Sequence, residues 1–163
     1  MWNKGIAIVA VASLFSGSAY AGCVPVKGKI VNNIFPAETG FFTMGVASVV
    51  FGGDVKLKCA LLGQPVPPPN PQDPTSVAFV HTISCDDAIA TLQGPIHSKL
   101  QFNTVGTVNP ATGSFTETST PIPGTGTGQF LNVNNQGSLI IQGQIYPGTG
   151  AIDMTFSGQA CFN

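Results

Sequence analysis

"GTVNPATGSFTET" (residues 106–118) and "GQIYPGTGAIDMT" (residues 143–155) share one pattern, G-x-[VI]-x-P-x-T-G-x-[FI]-x-x-T, 37 residues apart. In each copy an alternating apolar–polar run meets Pro-x-Thr-Gly and a second run leaves it. Proline fixes φ at the start of a turn and glycine takes the left-handed position at its end, so the unit reads as a β-hairpin. The paired strands are 99–108 with 114–119, and 138–146 with 151–158. A third copy, one residue longer, is "PAETGFFT" (residues 36–43). The repeat is therefore a structural unit, and it predicts an antiparallel meander.

The rest of the chain fits that reading. In "VKLKCALL" (residues 55–62), Val55, Leu57, Cys59 and Leu61 alternate with Lys56, Lys58 and Ala60, giving one apolar and one wet face. "VVFGGDV" (residues 49–55) reads as a hairpin turning at Gly52–Gly53. In "VAFVHTISC" (residues 77–85), Val77, Phe79, His81, Ile83 and Cys85 share a face. Residues 64–76, "QPVPPPNPQDPTS", hold six of the 13 prolines, too many for a ladder that needs N–H groups, so they predict a stiff exposed loop between strands. The one helical expectation is a turn over "DDAIATL", residues 86–92.

The expected fold class is all-β: a small antiparallel meander barrel of about eight strands, disulfide-stabilised, with a β-sandwich as the alternative. Closure into a barrel removes exposed sheet edges. Closure also orders the cysteines. First and last strands of an up-and-down barrel pair antiparallel, which sets Cys23 beside Cys161, and Cys59 and Cys85 flank the proline loop. The predicted bridges are Cys23–Cys161 and Cys59–Cys85.

Residues 1–21 carry Lys4, an apolar run from Gly5 to Phe15 and the small-x-small site Ala19-Tyr20-Ala21, the marks of a secretory signal peptide. Residues 22–163 then form a single all-β domain of 142 residues, exported to a periplasmic or extracellular setting. The alternative is a lipoprotein anchored at Cys23, because "YAGC" approaches a lipobox; four cysteines pair evenly only if Cys23 is kept. No apolar run after the signal approaches ~18 residues, so no transmembrane helix is expected.

Six Lys, no Arg and seven acids give net charge −1; removing Lys4 leaves five against seven, −2. Nucleic-acid binding needs clustered cations and is excluded. Zinc needs paired Cys or His spacings, whereas the cysteines here are scattered and His81 and His97 stand 16 apart. No metal or other cofactor is expected. Asp86-Asp87 lacks the spacing of a calcium loop. Cys85 and His81, four apart on a strand, lie ~13 Å from each other and cannot act as nucleophile and base. No G-x-S-x-G is present, and "PGTGTGQF" (residues 123–130) leads into the strand-like "QFLNV", so it reads as a glycine bend rather than a phosphate loop. Paired-carboxylate hydrolysis has candidates in Glu38, Asp54, Asp73, Asp86, Asp87, Glu117 and Asp153, whose meeting across a barrel spacing does not fix.

Within "GTGQFLNVNNQGSL" (residues 126–139), Gly126, Thr127, Gly128, Phe130, Gly137 and Leu139, followed by Gly143 and Gly158, resemble the G-T-G-x-F … G-x-L strand pair of the allene oxide cyclase-like and dirigent-like eight-stranded barrels. The resemblance covers roughly the last forty residues. It implies a barrel that holds a small apolar molecule in its lumen, and it transfers no catalytic residue.

The expected interior comprises Phe41, Val49, Leu57, Phe79, Phe102, Phe115, Phe130, Ile141, Ile152 and Phe156. The expected function is binding or structural, with His81, Phe79, Phe102 and Phe130 lining a site for a small apolar partner. The rival is a small secreted cyclase, isomerase or hydrolase, favoured if His81 or His97 meets a carboxylate in the lumen.

Overall fold

The computed structural model describes residues 22–163 except Thr39 and Gln93, and excepting the side chains of Ala90 and Thr91. The signal-peptide reading of residues 1–21 lies outside the described residues. Ten strands follow in chain order: β1 (Gly22–Pro36), β2 (Phe41–Phe51), β3 (Val55–Pro65), β4 (Ser76–Cys85), β5 (Ile89–Thr91), β6 (Gly94–Ile96), β7 (Lys99–Val108), β8 (Ser114–Pro121), β9 (Ser138–Tyr146) and β10 (Ala151–Phe162). Eight of them close a barrel in the order β1-β10-β9-β8-β7-β4-β3-β2, every pair antiparallel, while β5 and β6 form a small ribbon outside it. Closure through the β1–β10 ladder decides for the barrel against the sandwich.

That closing ladder places Cys23 opposite Cys161, and the β3–β4 ladder places Cys59 opposite Cys85; both pairs are disulfides. A sulfur committed to Cys161 carries no lipid thioether, so this arrangement and lipidation at Cys23 exclude one another. The two bridges also point to an oxidising, exported environment.

Each ladder runs through without a bulge: in β1–β10, for example, pairing steps evenly from Gly22↔Phe162 to Asn33↔Ala151. The coil that a small barrel needs comes instead from inward-facing glycines, Gly28, Gly45, Gly63, Gly106, Gly143 and Gly158, one on each of six strands. Each occupies the parity of its strand's core residues, and at all but Gly158 a neighbouring side chain lies against the place a Cβ would take. A Cβ on Gly28 would strike the backbone carbonyl of Ser48 and come within 2.5 Å of the Phe156 ring. Because a backbone carbonyl cannot turn aside as a side chain can, Gly28→Ala is expected to cost about 2–3 kcal/mol. Ser48→Ala, on the exposed face, should fall within about 0.5 kcal/mol of wild type. Urea midpoints of the two variants check this.

The Pro-x-Thr-Gly units turn as predicted, with Gly40, Gly113 and Gly150 at positive φ. They stand at one end of the barrel together with the proline loop, between β1 and β2, β7 and β8, β9 and β10, and β3 and β4 respectively. The opposite end is closed by residues 122–137. There Gly128–Phe130 forms a single 3₁₀ turn that drops Phe130 onto Phe51 (ring centroids 5.7 Å apart, edge to face), and Phe51 in turn meets Phe162 at 5.8 Å. Thr127 ties this plug to β7 through N–H to the Lys99 carbonyl, and Gln129 N–H donates to Ser98 Oγ at 2.7 Å.

Three local expectations are corrected. Residues 86–92 are not helical: Asp86 and Asp87 lead into the β5–β6 hairpin, where Gly94 at φ 114° and Pro95 favour a tight reversal. "QFLNV" is not a strand, and no strand pair spans residues 126–139; Gly128 at φ 61° turns the chain inward so that Phe130 buries, and β9 begins at Ser138. Phe41 is not core. It is 39% exposed at the start of β2, because the barrel end beside it is open.

Candidate functional site

The lumen has two unlike halves. Toward the plug, Val26, Val49, Phe51, Leu100, Phe102, Phe130 and Phe156 interlock, leaving only about 60 Å³. Toward the Pro-x-Thr-Gly turns lies an open chamber of about 220 Å³. Its wall is mainly apolar, formed by Ile34, Phe41, Val77, Phe79, Val108, Phe115, Ile145 and Ile152. His81 and Met154 line both halves and form the partition.

Polar side chains gather around that partition. Asn32 on β1, Thr43 on β2, His81 on β4, Thr104 on β7, and Glu117 and Ser119 on β8 all point inward and are all buried. His81 Nδ1 is 2.9 Å from Thr104 Oγ1, and Thr104 Oγ1 is hydrogen-bonded to Ser119 Oγ, so side chains link three neighbouring strands along the inner face of the wall. The His81 ring stacks on Phe79 (centroids 5.4 Å apart, 15° between planes). Gly63 opposite leaves room for the imidazole: a Cβ there would come within 2.8 Å of His81 Nε2. Burial holds the imidazole neutral by lowering its pKa to about 4.

Glu117 lies on the same chamber wall, and burial raises its carboxyl pKa to about 7. A carboxyl poised near neutrality can give or take a proton at physiological pH. Asn32 Nδ2 and Thr43 Oγ1 are buried with no hydrogen-bond partner. Such unmet groups are rare in folded proteins and call for an explanation.

Of the site residues expected from the sequence, Phe79 and His81 stand on the open chamber, whereas Phe102 and Phe130 belong to the packed half and the plug. His81 lines both spaces, so it meets Phe102 and Phe130 on the packed side and Phe79 on the open one. Their hydrophobicity does not distinguish them; the plug's course through the barrel end does. His97 is exposed beside the plug, where its carbonyl accepts from Thr127 Oγ1, and it is remote from the lumen. Asp86 accepts from the Lys58 N–H, and Asp87 from the Ser98 N–H and hydroxyl. Among the described residues, no group of three His, Cys, Asp or Glu is placed to hold a metal ion. Asn32, Thr43 and Thr104 escaped the sequence reading, and Glu117 appeared there only as one acid among seven. Their signal was parity: Asn32 is in phase with Val26 and Ile30, and Glu117 with Phe115.

The outer face is largely polar, with Lys56, Lys58, Thr116, Thr118, Gln142, Thr155, Ser157 and Gln159 exposed. A lipid-spanning barrel has the reverse arrangement. Among the described residues, no helix is long and apolar enough to cross a membrane. Fold and site together define a plugged, eight-stranded antiparallel barrel with one open, mainly apolar chamber. No protein-family model matches the chain, and neither a curated protein nor a solved structure matches it significantly.

Proposed function

We propose that the protein is an exported carrier, periplasmic or extracellular, that holds a small and mainly apolar molecule in the open chamber. One observation carries this reading: the lumen is packed and plugged at one end, yet keeps about 220 Å³ of largely apolar space at the other. A barrel needing only stability would gain from filling that space, since each missing contact weakens packing.

Native mass spectrometry of the protein purified from its own host tests the proposal. One small molecule per chain is expected, and Val77→Trp, which fills the chamber, should reduce occupancy about tenfold while the chain stays folded. A bare chain in both samples would overturn it.

Glu117 and His81 on one chamber wall favour a second reading, an enzyme of the isomerase or hydrolase type using Glu117 as general acid–base. The molecule recovered from Glu117→Gln decides. A carrier yields the same molecule as wild type; an enzyme yields its unconverted substrate.

A further inference from the structure

We infer that the open chamber selects a neutral carbonyl compound about one ring in size, its oxygen seated between Asn32 Nδ2 and Thr43 Oγ1. This rests on the chamber being a binding site and adds the chemistry of the occupant.

Asn32 is 1% exposed, and its Oδ1 accepts the backbone N–H of Asn33 at 2.9 Å. That bond fixes which way the amide faces, because flipping it would set Nδ2 against another donor. Asn32 is one of the residues lining the chamber, and its Nδ2 is a buried donor with no partner. Thr43, 4% exposed, offers a hydroxyl that is equally unmet. In the β1–β2 ladder Asn32 pairs with Gly45, and Thr43 with Ile34. The two are thus diagonal neighbours on the inward face, ~7–8 Å apart, near enough for one oxygen to lie between their side chains. Gly45 leaves Asn32 its place, since a Cβ there would come within 2.9 Å of Oδ1.

Charge narrows the class. Neither Lys nor Arg lines the chamber, and its one carboxyl is Glu117 on β8, the strand diametrically opposite β2 in the barrel order. A bound carboxylate would place a second acid in the same low-dielectric space. A cation would find Glu117 but leave the Asn32 donor unmet. A neutral acceptor satisfies the wall without either penalty. Size follows from volume: cavities of about 150 Å³ lined by Leu, Ile and Phe hold benzene. The chamber, at about 220 Å³, adds room for a short substituent.

Isothermal titration at pH 7.5 with acetophenone, ethylbenzene and benzylamine tests this, ethylbenzene being the near shape match that lacks the oxygen. Comparing ratios cancels the different water solubilities of the probes. In Asn32→Leu, and separately in Thr43→Val, the acetophenone-to-ethylbenzene affinity ratio is expected to fall about fivefold from its wild-type value, the worth of one hydrogen bond. Thr43→Val keeps shape and volume, and thermal melts verify that both variants fold. An unchanged ratio in both, or benzylamine as the tightest ligand, overturns the carbonyl selection and leaves the chamber standing as a site. If no probe binds wild type, and Val77→Trp also changes nothing in the native spectra, the binding reading itself falls and takes this inference with it.

Discussion

Glu117→Gln is expected to make the barrel more stable above pH 7 and to give it a stability that rises between pH 4.5 and 6.5, where the wild-type contribution is flat. Burial raises the Glu117 pKa from about 4.5 to about 7. Between those values the folded state binds a proton that the unfolded chain has released, so stability falls as pH rises from 4.5 to 7. Burial lowers the His81 pKa from 6.5 to about 4. There the unfolded chain binds the extra proton, so stability rises with pH from 4 to 6.5. Each window spans about 2.5 pH units, or about 3 kcal/mol. Where they overlap, between 4.5 and 6.5, the two slopes oppose and nearly cancel, and the wild-type contribution is flat. Removing the carboxyl leaves the histidine alone: Glu117→Gln should gain stability from pH 4 to 6.5 and exceed wild type at pH 8 by about 2–3 kcal/mol. His81→Gln should do the reverse, losing stability from pH 4.5 to 7. Urea midpoints at pH 4.5, 5.5, 6.5 and 8 read both curves. Parallel profiles for all three proteins would mean that neither group is desolvated as its surroundings require.

Removing the Cys23–Cys161 bridge is expected to cost more than removing Cys59–Cys85. The first joins residues 138 apart, the second residues 26 apart. Closing the longer loop restricts the unfolded chain more, giving about 5 kcal/mol against about 3.5 kcal/mol by chain entropy. For a domain of this size the Cys23→Ser/Cys161→Ser pair should melt about 15 °C lower. The long bridge also holds the β1–β10 seam, the ladder that turns a meander into a barrel. Loss of that bridge should therefore bring early amide exchange along β1 and β10, whereas loss of Cys59–Cys85 should not. Equal destabilisation by both pairs would show that native-state contacts, rather than loop length, set the effect.

The sequence by itself determined the class of fold. Pro-x-Thr-Gly fixes a turn through the backbone limits of proline and glycine, and alternation in stretches such as Val55–Leu61 gives each strand one apolar face. Both are local properties, legible without knowing any neighbour. The cysteines became legible once closure was assumed, because a closed meander has a defined seam. Tertiary structure decided what the lumen is. Phe130 and Phe41 read alike in sequence, yet one is driven inward by Gly128 and seals an end, while the other sits on an open rim. Inward parity already marked Asn32 and Glu117, but a polar residue on that parity gains meaning only when the opposite wall is known. Glu117 on β8 faces the β2 side across a space that no local pattern encodes, because it is set by how eight strands coil over their inward glycines. The Pro-x-Thr-Gly repeat shows the same division. Its residues specify turns, and only the closed barrel gathers three of those turns around the mouth of one chamber.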